Sequence, residues 1–289
     1  MGAPPIVVGS VYWGSGPLAF ELRSPDSDIL EGARLVFDAW RPSADAQLVE
    51  SFCARWANDE IVVEPRPSVE GRELRKISSV AHAVAVVEYA AIGQIVDTCD
   101  HVLCFHAALL NRDGKSAALV GPSHSGKSTL AAGLWQSGWD FLCDDLVIVA
   151  GSKAMPGPRR VSLRHASRPL LGERLWSQLS ESRGQYKHED GWMFQPMYID
   201  GGEKRSVDLD ALFFLKRNGA PADMDAHRLT PAHAAMSLLP YTNLVRTQPF
   251  PTAFAPVAEL MSRTAAWDLA RAPLPEMIAT VNRLVSEER

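Results

Sequence analysis

The sequence is poor in cysteine, has no excess of positive charge and carries no uninterrupted apolar run long enough to span a membrane. Its four cysteines (Cys53, Cys99, Cys104 and Cys143) form no C-x-x-C pair, which argues against a zinc ribbon or a dithiol redox motif. Cys99 and Cys104 do cluster with His101 and His106. Their spacing matches no standard zinc finger, and both cysteines flank an apolar strand, so reduced core thiols are the plainer reading. A net charge of −5 argues against a general nucleic-acid binder, which carries a basic excess. The most apolar stretch, residues 77–96, is interrupted by Ser78, Ser79, His82, Glu88 and Gln94, and reads as a buried or amphipathic helix rather than a membrane span. The segment Met1-Gly2-Ala3-Pro4-Pro5 lacks the basic start and apolar core of a signal peptide. The expectation is a cytoplasmic protein without nucleic-acid or membrane partners. Internal repeats and low-complexity tracts are absent as well.

What is present centres on residues 117–149. Gly121-Pro122-Ser123-His124-Ser125-Gly126-Lys127-Ser128 fits G-x-x-x-x-G-K-[ST] at every fixed position. Two glycines let the backbone curl so that successive N–H groups face an anion. In such a loop the lysine, here Lys127, adds a point charge at the β/γ-phosphates, and the hydroxyl of Ser128 is a ligand for Mg²⁺. The residues expected to cradle the nucleotide are therefore 121–128, with Thr129 following at the start of the helix. Residues 116–120 read as a short buried strand, and 129–135 as a helix with Leu130, Leu134 and Trp135 inward, stopped by Gly138. Phe141-Leu142-Cys143 and Leu146-Val147-Ile148-Val149 read as one further buried strand, broken only by Asp144-Asp145.

Earlier in the chain, residues 6–13, 18–22 and 60–64 are strand-like, residues 30–40 helical, and Pro65, Pro67 and Ser68 mark a loop. Trp13, Trp40 and Trp56 read as core. After the 77–95 helix, residues 101–110 form an apolar strand, and Asn111-Arg112-Asp113-Gly114 a tight hairpin. That hairpin sets His106 across the ladder from the loop. A lone histidine in an apolar strand is commonly a core residue, but its register makes it a site candidate too. Residues 151–168 carry Lys153, Arg159, Arg160, Arg164 and Arg168 without an acid, either as solvated surface or facing phosphates. Residues 181–205 lack periodicity and suit a substrate loop or a plain surface excursion. A strand at 209–215, a helix opened by Thr230-Pro231, helices at 251–263 and 275–288 and a strand at 266–269 complete the chain.

Asp145 lies eighteen residues after Lys127, earlier than the carboxylate of motor and transporter ATPases. An LSGGQ-like signature, an [NT]-K-x-D and a D-x-x-G are all missing, which argues against ABC and GTPase readings. Adjacent carboxylates inside an apolar strand are costly unless they serve a cation or a proton transfer.

With HAALLNRDG at His106, the loop GPSHSGKST, the Gly138 spacer and Cys143-Asp144-Asp145, residues 105–149 resemble the HPr kinase/phosphorylase-like serine kinases. RRVSLR, LFFLKR and LTPAHA extend the likeness more loosely to a helper-type branch associated with peptide-modification clusters. The resemblance implies an α/β protein with a P-loop core of the HPr kinase/PEP carboxykinase type, at residues 101–289, and a small N-terminal α+β lobe at 1–100. It implies ATP and Mg²⁺ as cofactors, a peptide or protein serine hydroxyl as acceptor, and assembly into homo-oligomers. Carried over by residue, Lys127 holds phosphates, Ser128 and Asp144 are metal candidates, Asp145 is the general base, and His106 pairs with it. Arg164 becomes a candidate for a phosphate contact. The chain departs from the bifunctional enzymes in two ways. It has Thr129 where they have Glu, and residues 159–171 lack their second, Mg²⁺-binding acid. HPr as substrate and the reverse phosphorylase reaction are therefore not carried over. Two other readings stay open: a small-molecule kinase on the same core, and an ATP-binding regulatory subunit that transfers nothing.

Overall fold

The computed structural model describes residues 9–38, 40–64, 76–98, 102–181, 185–188, 191–194, 206–216 and 226–287. The expected strand residues 6–8, the loop at Pro65, Pro67 and Ser68, Cys99 with His101, and most of the 181–205 excursion lie outside the described residues.

The N-terminal part builds β1 (Gly9–Ser24), α1 (Ser27–Phe37), β2 (Pro42–Ala57) and β3 (Glu60–Glu64). β1 and β2 pair in parallel with α1 as the crossover, and β3 returns antiparallel to β2. Two strands were expected where β1 now stands. The chain doubles back at Gly16, whose φ is +53°, and a Cβ on Gly14 would collide with the Leu18 carbonyl. α1 presents Ile29, Leu30, Ala33, Val36 and Phe37 on one face, the spacing of a single helical stripe. Phe37 stacks on Trp13 at 4.2 Å, and Trp13 and Trp40 are buried as expected. Trp56 is only partly buried and donates its indole N–H to Asp28.

α2 (Val80–Thr98) follows. By length and composition it is apolar enough to cross a membrane. Its inward side nonetheless packs Ala83, Val84, Val87, Ala91 and Ile95 into the first core cluster, and Glu88 is 0% exposed. A buried carboxylate paired within the protein interior ties this helix to the fold.

The remaining elements are β4 (Leu103–Phe105), β5 (Ala107–Arg112), β6 (Lys115–Val120), α3 (Lys127–Gln136), β7 (Asp140–Cys143), β8 (Val147–Ala150), β9 (Lys153–Pro156) and β10 (Val161–Arg164). After them come α4 (Arg168–Ser180), β11 (Tyr186–His188), β12 (Gly191–Phe194), β13 (Val207–Asp208), β14 (Ala211–Leu215), β15 (His227–Arg228) and α5 (Pro231–Leu238). The chain ends with α6 (Leu244–Thr247), α7 (Phe250–Arg263), β16 (Ala265–Leu269) and α8 (Leu274–Glu287).

A six-stranded sheet runs β15-β16-β14-β6-β5-β7, with β6, β14 and β16 mutually parallel and β5 antiparallel to both β6 and β7. Side chains alternate across it. Ala108, Leu110, Ala117, Leu119, Phe213 and Leu215 meet α3, α4 and α8, whereas Leu109, Ala118, Val120, Leu212 and Phe214 meet α5 and α7. Burial on both faces is why these strands read as continuous apolar runs rather than alternating ones. A four-stranded antiparallel sheet, β13-β9-β8-β4, lies between this second face and the N-terminal cluster. Cys104, Leu146, Ile148 and Met155 point to the N-terminal side, and Leu103, Phe105, Val147 and Val149 to the other.

Two sequence expectations are corrected here. Residues 101–110 were read as one strand, but β4 belongs to the four-stranded sheet and β5 to the six-stranded one, with His106 at the break. The expected strand across Asp144-Asp145 is likewise two, β7 in the six-stranded sheet and β8 in the four-stranded one. Apolar runs carry no mark of which sheet they join, so both breaks were hidden.

Candidate functional site

The two breaks coincide. Ala107 pairs with Val120 at the end of β6, while Phe105 pairs with Val147 at the start of β8. His106 and Asp144-Asp145 therefore occupy the passage between the sheets, next to the loop that follows β6.

That loop begins where β6 and β14 run side by side, and a Cβ on Gly121 would stand 2.5 Å from the Leu215 carbonyl oxygen. Close backbone approach leaves room for glycine alone. His124 and Gly126 take φ of +68° and +97°, turning the chain into α3 at Lys127. Gly126 is the N-cap and supplies no side-chain cap, so the first-turn N–H groups remain available to an anion. Ser125 Oγ is buried with no hydrogen-bond partner among the described residues. Lys127 is 5% exposed, and its Nζ donates to the carbonyl oxygens of Gly121 (2.8 Å) and Pro122 (3.3 Å). Burial lowers its pKa, while Asp144 and Asp145 favour the charged form. Thr129 Oγ1 meets Ser167 Oγ at 2.9 Å, binding the first turn of α3 to the turn after β10.

Asp144 is 0% exposed and accepts three hydrogen bonds: from Ser128 Oγ (2.6 Å), Asp145 N–H (3.0 Å) and Ser162 N–H (3.2 Å). Burial and the adjacent Asp145 charge push its carboxyl up to about 6, against the pull of those donors. Asp145 differs. Burial would raise it too, but the charges of Arg159, His106 and Lys127 together hold it below the usual carboxylate value. Arg159 Nε donates to Asp145 Oδ2 at 3.2 Å. Asp145 also takes φ +63°, a left-handed conformation that costs a non-glycine residue about 1–2 kcal/mol and that turns β7 toward β8.

His106 Nδ1 lies 2.9 Å from the Asp145 carbonyl oxygen and 3.7 Å from Asp145 Oδ1. A carbonyl oxygen only accepts, so Nδ1 carries the proton and Nε2 keeps its lone pair in the neutral ring. Burial lowers the imidazole pKa, with Lys127 adding to it and Asp145 opposing. Of the groups that lower Asp145, Arg159 does so the most, and its Nε also donates to the carboxylate.

The structure thus brings together His106, Lys127, Ser128, Asp144 and Asp145. Arg164, the sequence candidate for a phosphate contact, is exposed at the end of β10, three residues before Ser167. The residue missed was Arg159. It was visible only as one member of a basic run, and that run proves not to be a single surface. Arg159 reaches Asp145, and Arg160, 1% exposed, pairs with Glu88 at 2.7 Å. Among the described residues no group of three or more His, Cys, Asp or Glu is arranged to hold a metal, and Cys53, Cys104 and Cys143 form no disulfide. A hydroxyl with one carboxylate, as at Ser128 and Asp144, is the donor set of a hard cation that keeps waters and phosphate oxygens as its other ligands. A separate cavity of about 320 Å³, lined by Trp135, Gln136, Gly138, Arg174 and Gln178, lies at the far end of α3 and carries no carboxylate.

No protein-family model matches the chain, and no curated protein does. Among solved structures, the HPr(Ser) kinase/phosphatase from Coxiella burnetii is similar at 14% identity and a TM-score of 0.32. The match covers 64% of this chain and 98% of that one. Overlap of that quality leaves the functional reading to rest on the residues and their geometry.

Proposed function

We propose that this chain is an ATP- and Mg²⁺-dependent kinase of the HPr kinase-like type, acting in the cytoplasm on a serine hydroxyl of a peptide or protein. One observation carries the reading: Ser128, Asp144, Asp145 and His106 meet beside an uncapped helix N-terminus entered through G-x-x-x-x-G-K-S. The orphaned Ser125 hydroxyl and the free first-turn N–H groups suit a phosphate chain.

Bound Mg²⁺-ATP would supply the phosphoryl group and a cation to neutralise its charge. Residues 121–129 would hold the phosphates, with Lys127 exchanging two loop carbonyls for phosphate oxygens. Ser128 and Asp144 are the residues that would hold the cation, whose charge would offset the burial and the Asp145 charge that push the Asp144 carboxyl up to about 6. Asp145 would take the proton from the acceptor hydroxyl as its oxygen bonds to the γ-phosphorus and the bridging β–γ P–O bond breaks to release ADP. His106 orients Asp145 through its main-chain carbonyl, and Arg159 keeps the carboxylate ionised.

The test is to incubate the protein with γ-labelled ATP, Mg²⁺ and a peptide and protein extract, beside Lys127→Ala and Asp145→Asn. Label on one acceptor, lost in both variants, supports the kinase. Asp145→Asn should keep ATP affinity while transfer falls about 10²–10⁴-fold; equal loss of both would remove Asp145 from the role of base. Tight ATP binding without turnover would turn the reading to a regulatory subunit.

A further inference from the structure

α2 contributes two consecutive side chains that reach toward the site from outside it. Glu88, 0% exposed, receives the Arg160 main-chain N–H at 2.7 Å, Arg160 Nε at 3.0 Å and an Arg160 terminal guanidinium N–H at 2.7 Å. Tyr89 is 53% exposed, and its ring lies 5.6 Å beneath the guanidinium carbon of Arg159. One helix thus grips both arginines of a single dipeptide.

That dipeptide belongs to a strap, residues 157–162, laid along the acid pair. Gly157 N–H donates to the Leu146 carbonyl at 2.9 Å, and the Arg159 carbonyl accepts from Asp144 N–H at 3.4 Å. Ser162 N–H then donates to the Asp144 carboxylate at 3.2 Å. Arg159 Nε completes the strap at Asp145 Oδ2. The strap has no regular secondary structure from Gly157 to Arg160, so its position depends on what anchors it. Glu88 is the anchor of the backbone, and Tyr89 covers the cationic end of the side chain that hydrogen-bonds the Asp145 carboxylate. A fully desolvated pair, with two Arg160 guanidinium N–H groups on one Glu88 oxygen and the main-chain N–H on the other, fixes geometry more strictly than a solvent-exposed one.

We infer that Glu88 and Tyr89 are positioning residues of the candidate site, holding the strap and the Arg159 side chain so that Asp145 stays aimed at the acceptor. Neither touches a reacting atom. The inference rests on the kinase reading for its kinetic consequence, though the grip on Arg159 is measurable without it. It makes α2, the last helix before the loop-bearing sheet, a functional part of the site rather than a neighbouring scaffold.

The direct variant, Glu88→Gln, removes the carboxylate from a buried guanidinium and risks unfolding the protein. Tyr89 avoids this because it is half in solvent. Tyr89→Ala is expected to lower kcat about two- to fivefold, the scale of an exposed cation–π contact, with KM for ATP unchanged. Tyr89→Phe keeps the ring and should restore kcat. In parallel, the Arg159 Nε–H signal is followed by ¹⁵N NMR on the full chain and assigned by its loss in Arg159→Lys. It should persist in wild type and Tyr89→Phe and be lost to solvent exchange in Tyr89→Ala. Wild-type kcat and an unchanged signal in Tyr89→Ala would overturn the inference, as would an equal loss in Tyr89→Phe. If the wild type transfers no phosphate, the kinase reading fails on its own, and the NMR signal alone decides whether α2 holds Arg159.

Discussion

Lys127 is bound to the loop it is proposed to leave. Its Nζ now donates to Gly121 and Pro122 carbonyls, so nucleotide binding exchanges two neutral acceptors for charged ones. Charge-assisted bonds are worth about 1.5–3 kcal/mol, so Lys127→Met should weaken Mg²⁺-ATP binding about 10- to 100-fold by calorimetry. Unchanged affinity would show that the amine does not meet phosphate. At this scale the loop was legible because each of its fixed positions answers a local demand: close approach at Gly121, a left-handed turn at Gly126, a point charge at Lys127. Arg159 was not legible. Its partner lies fourteen residues away across a sheet change, and an arginine in a basic run looks the same whether it faces water or a carboxylate.

Among the elements, the strap from Gly157 to Ser162 decides most. A Cβ on Gly157 would stand 2.7 Å from both the carbonyl oxygen and the Cβ of Leu146, and neither is the free end of a flexible chain. Gly157→Ala must push the strap off β8, and such overpacking costs about 1–3 kcal/mol, measurable by urea unfolding. Transfer should fall by more than stability alone accounts for, because Asp144 and Asp145 lose their donors together; wild-type stability and activity would refute this placement. The hairpin at Asp113-Gly114 was plain from its dipeptide, and the structure gives those residues φ of +52° and +78°. Thr230 and Pro231 were equally plain, with Thr230 Oγ1 accepting from His233 N–H. The strap had no such signature. Its residues 157–160 lie between β9 and β10 without helical or strand periodicity, placed by tertiary hydrogen bonds before the chain enters β10.

Among the described residues, three apolar clusters are parted by the four-stranded and six-stranded sheets, and the N-terminal cluster runs on into the four-stranded sheet through Cys104, Leu146, Ile148 and Met155. Its stability carries a pH signature from Glu21, which is 4% exposed in β1. Arg23, Tyr12 and Ser51 hydrogen-bond the Glu21 carboxylate and, against burial, lower it to about 2. A carboxyl whose folded pKa is depressed contributes stability above its unfolded value and loses it as pH falls toward the folded one. Glu21→Gln should thus destabilise the protein by about 1–2 kcal/mol at pH 7, allowing for water around half-exposed Arg23. The difference should vanish between about pH 5 and pH 2 in thermal melts taken across that range. A difference that stays constant down to pH 2 would assign the loss to packing instead of charge.

The sequence alone determined what depends on neighbours in the chain: a strand, a phosphate-type loop and a helix in succession, a hairpin, a capped helix, and a pair of acids in an apolar setting. These follow from backbone sterics and from residue types at short fixed spacings. Tertiary structure decided which sheet each apolar run joins, and so decided that the chain changes sheets at His106 and again at Asp144-Asp145. It also turned two cations of a basic run inward, one onto Asp145 and one onto Glu88. Burial is a property of the assembled fold, and charge pairing across it depends on distances that spacing along the chain does not encode.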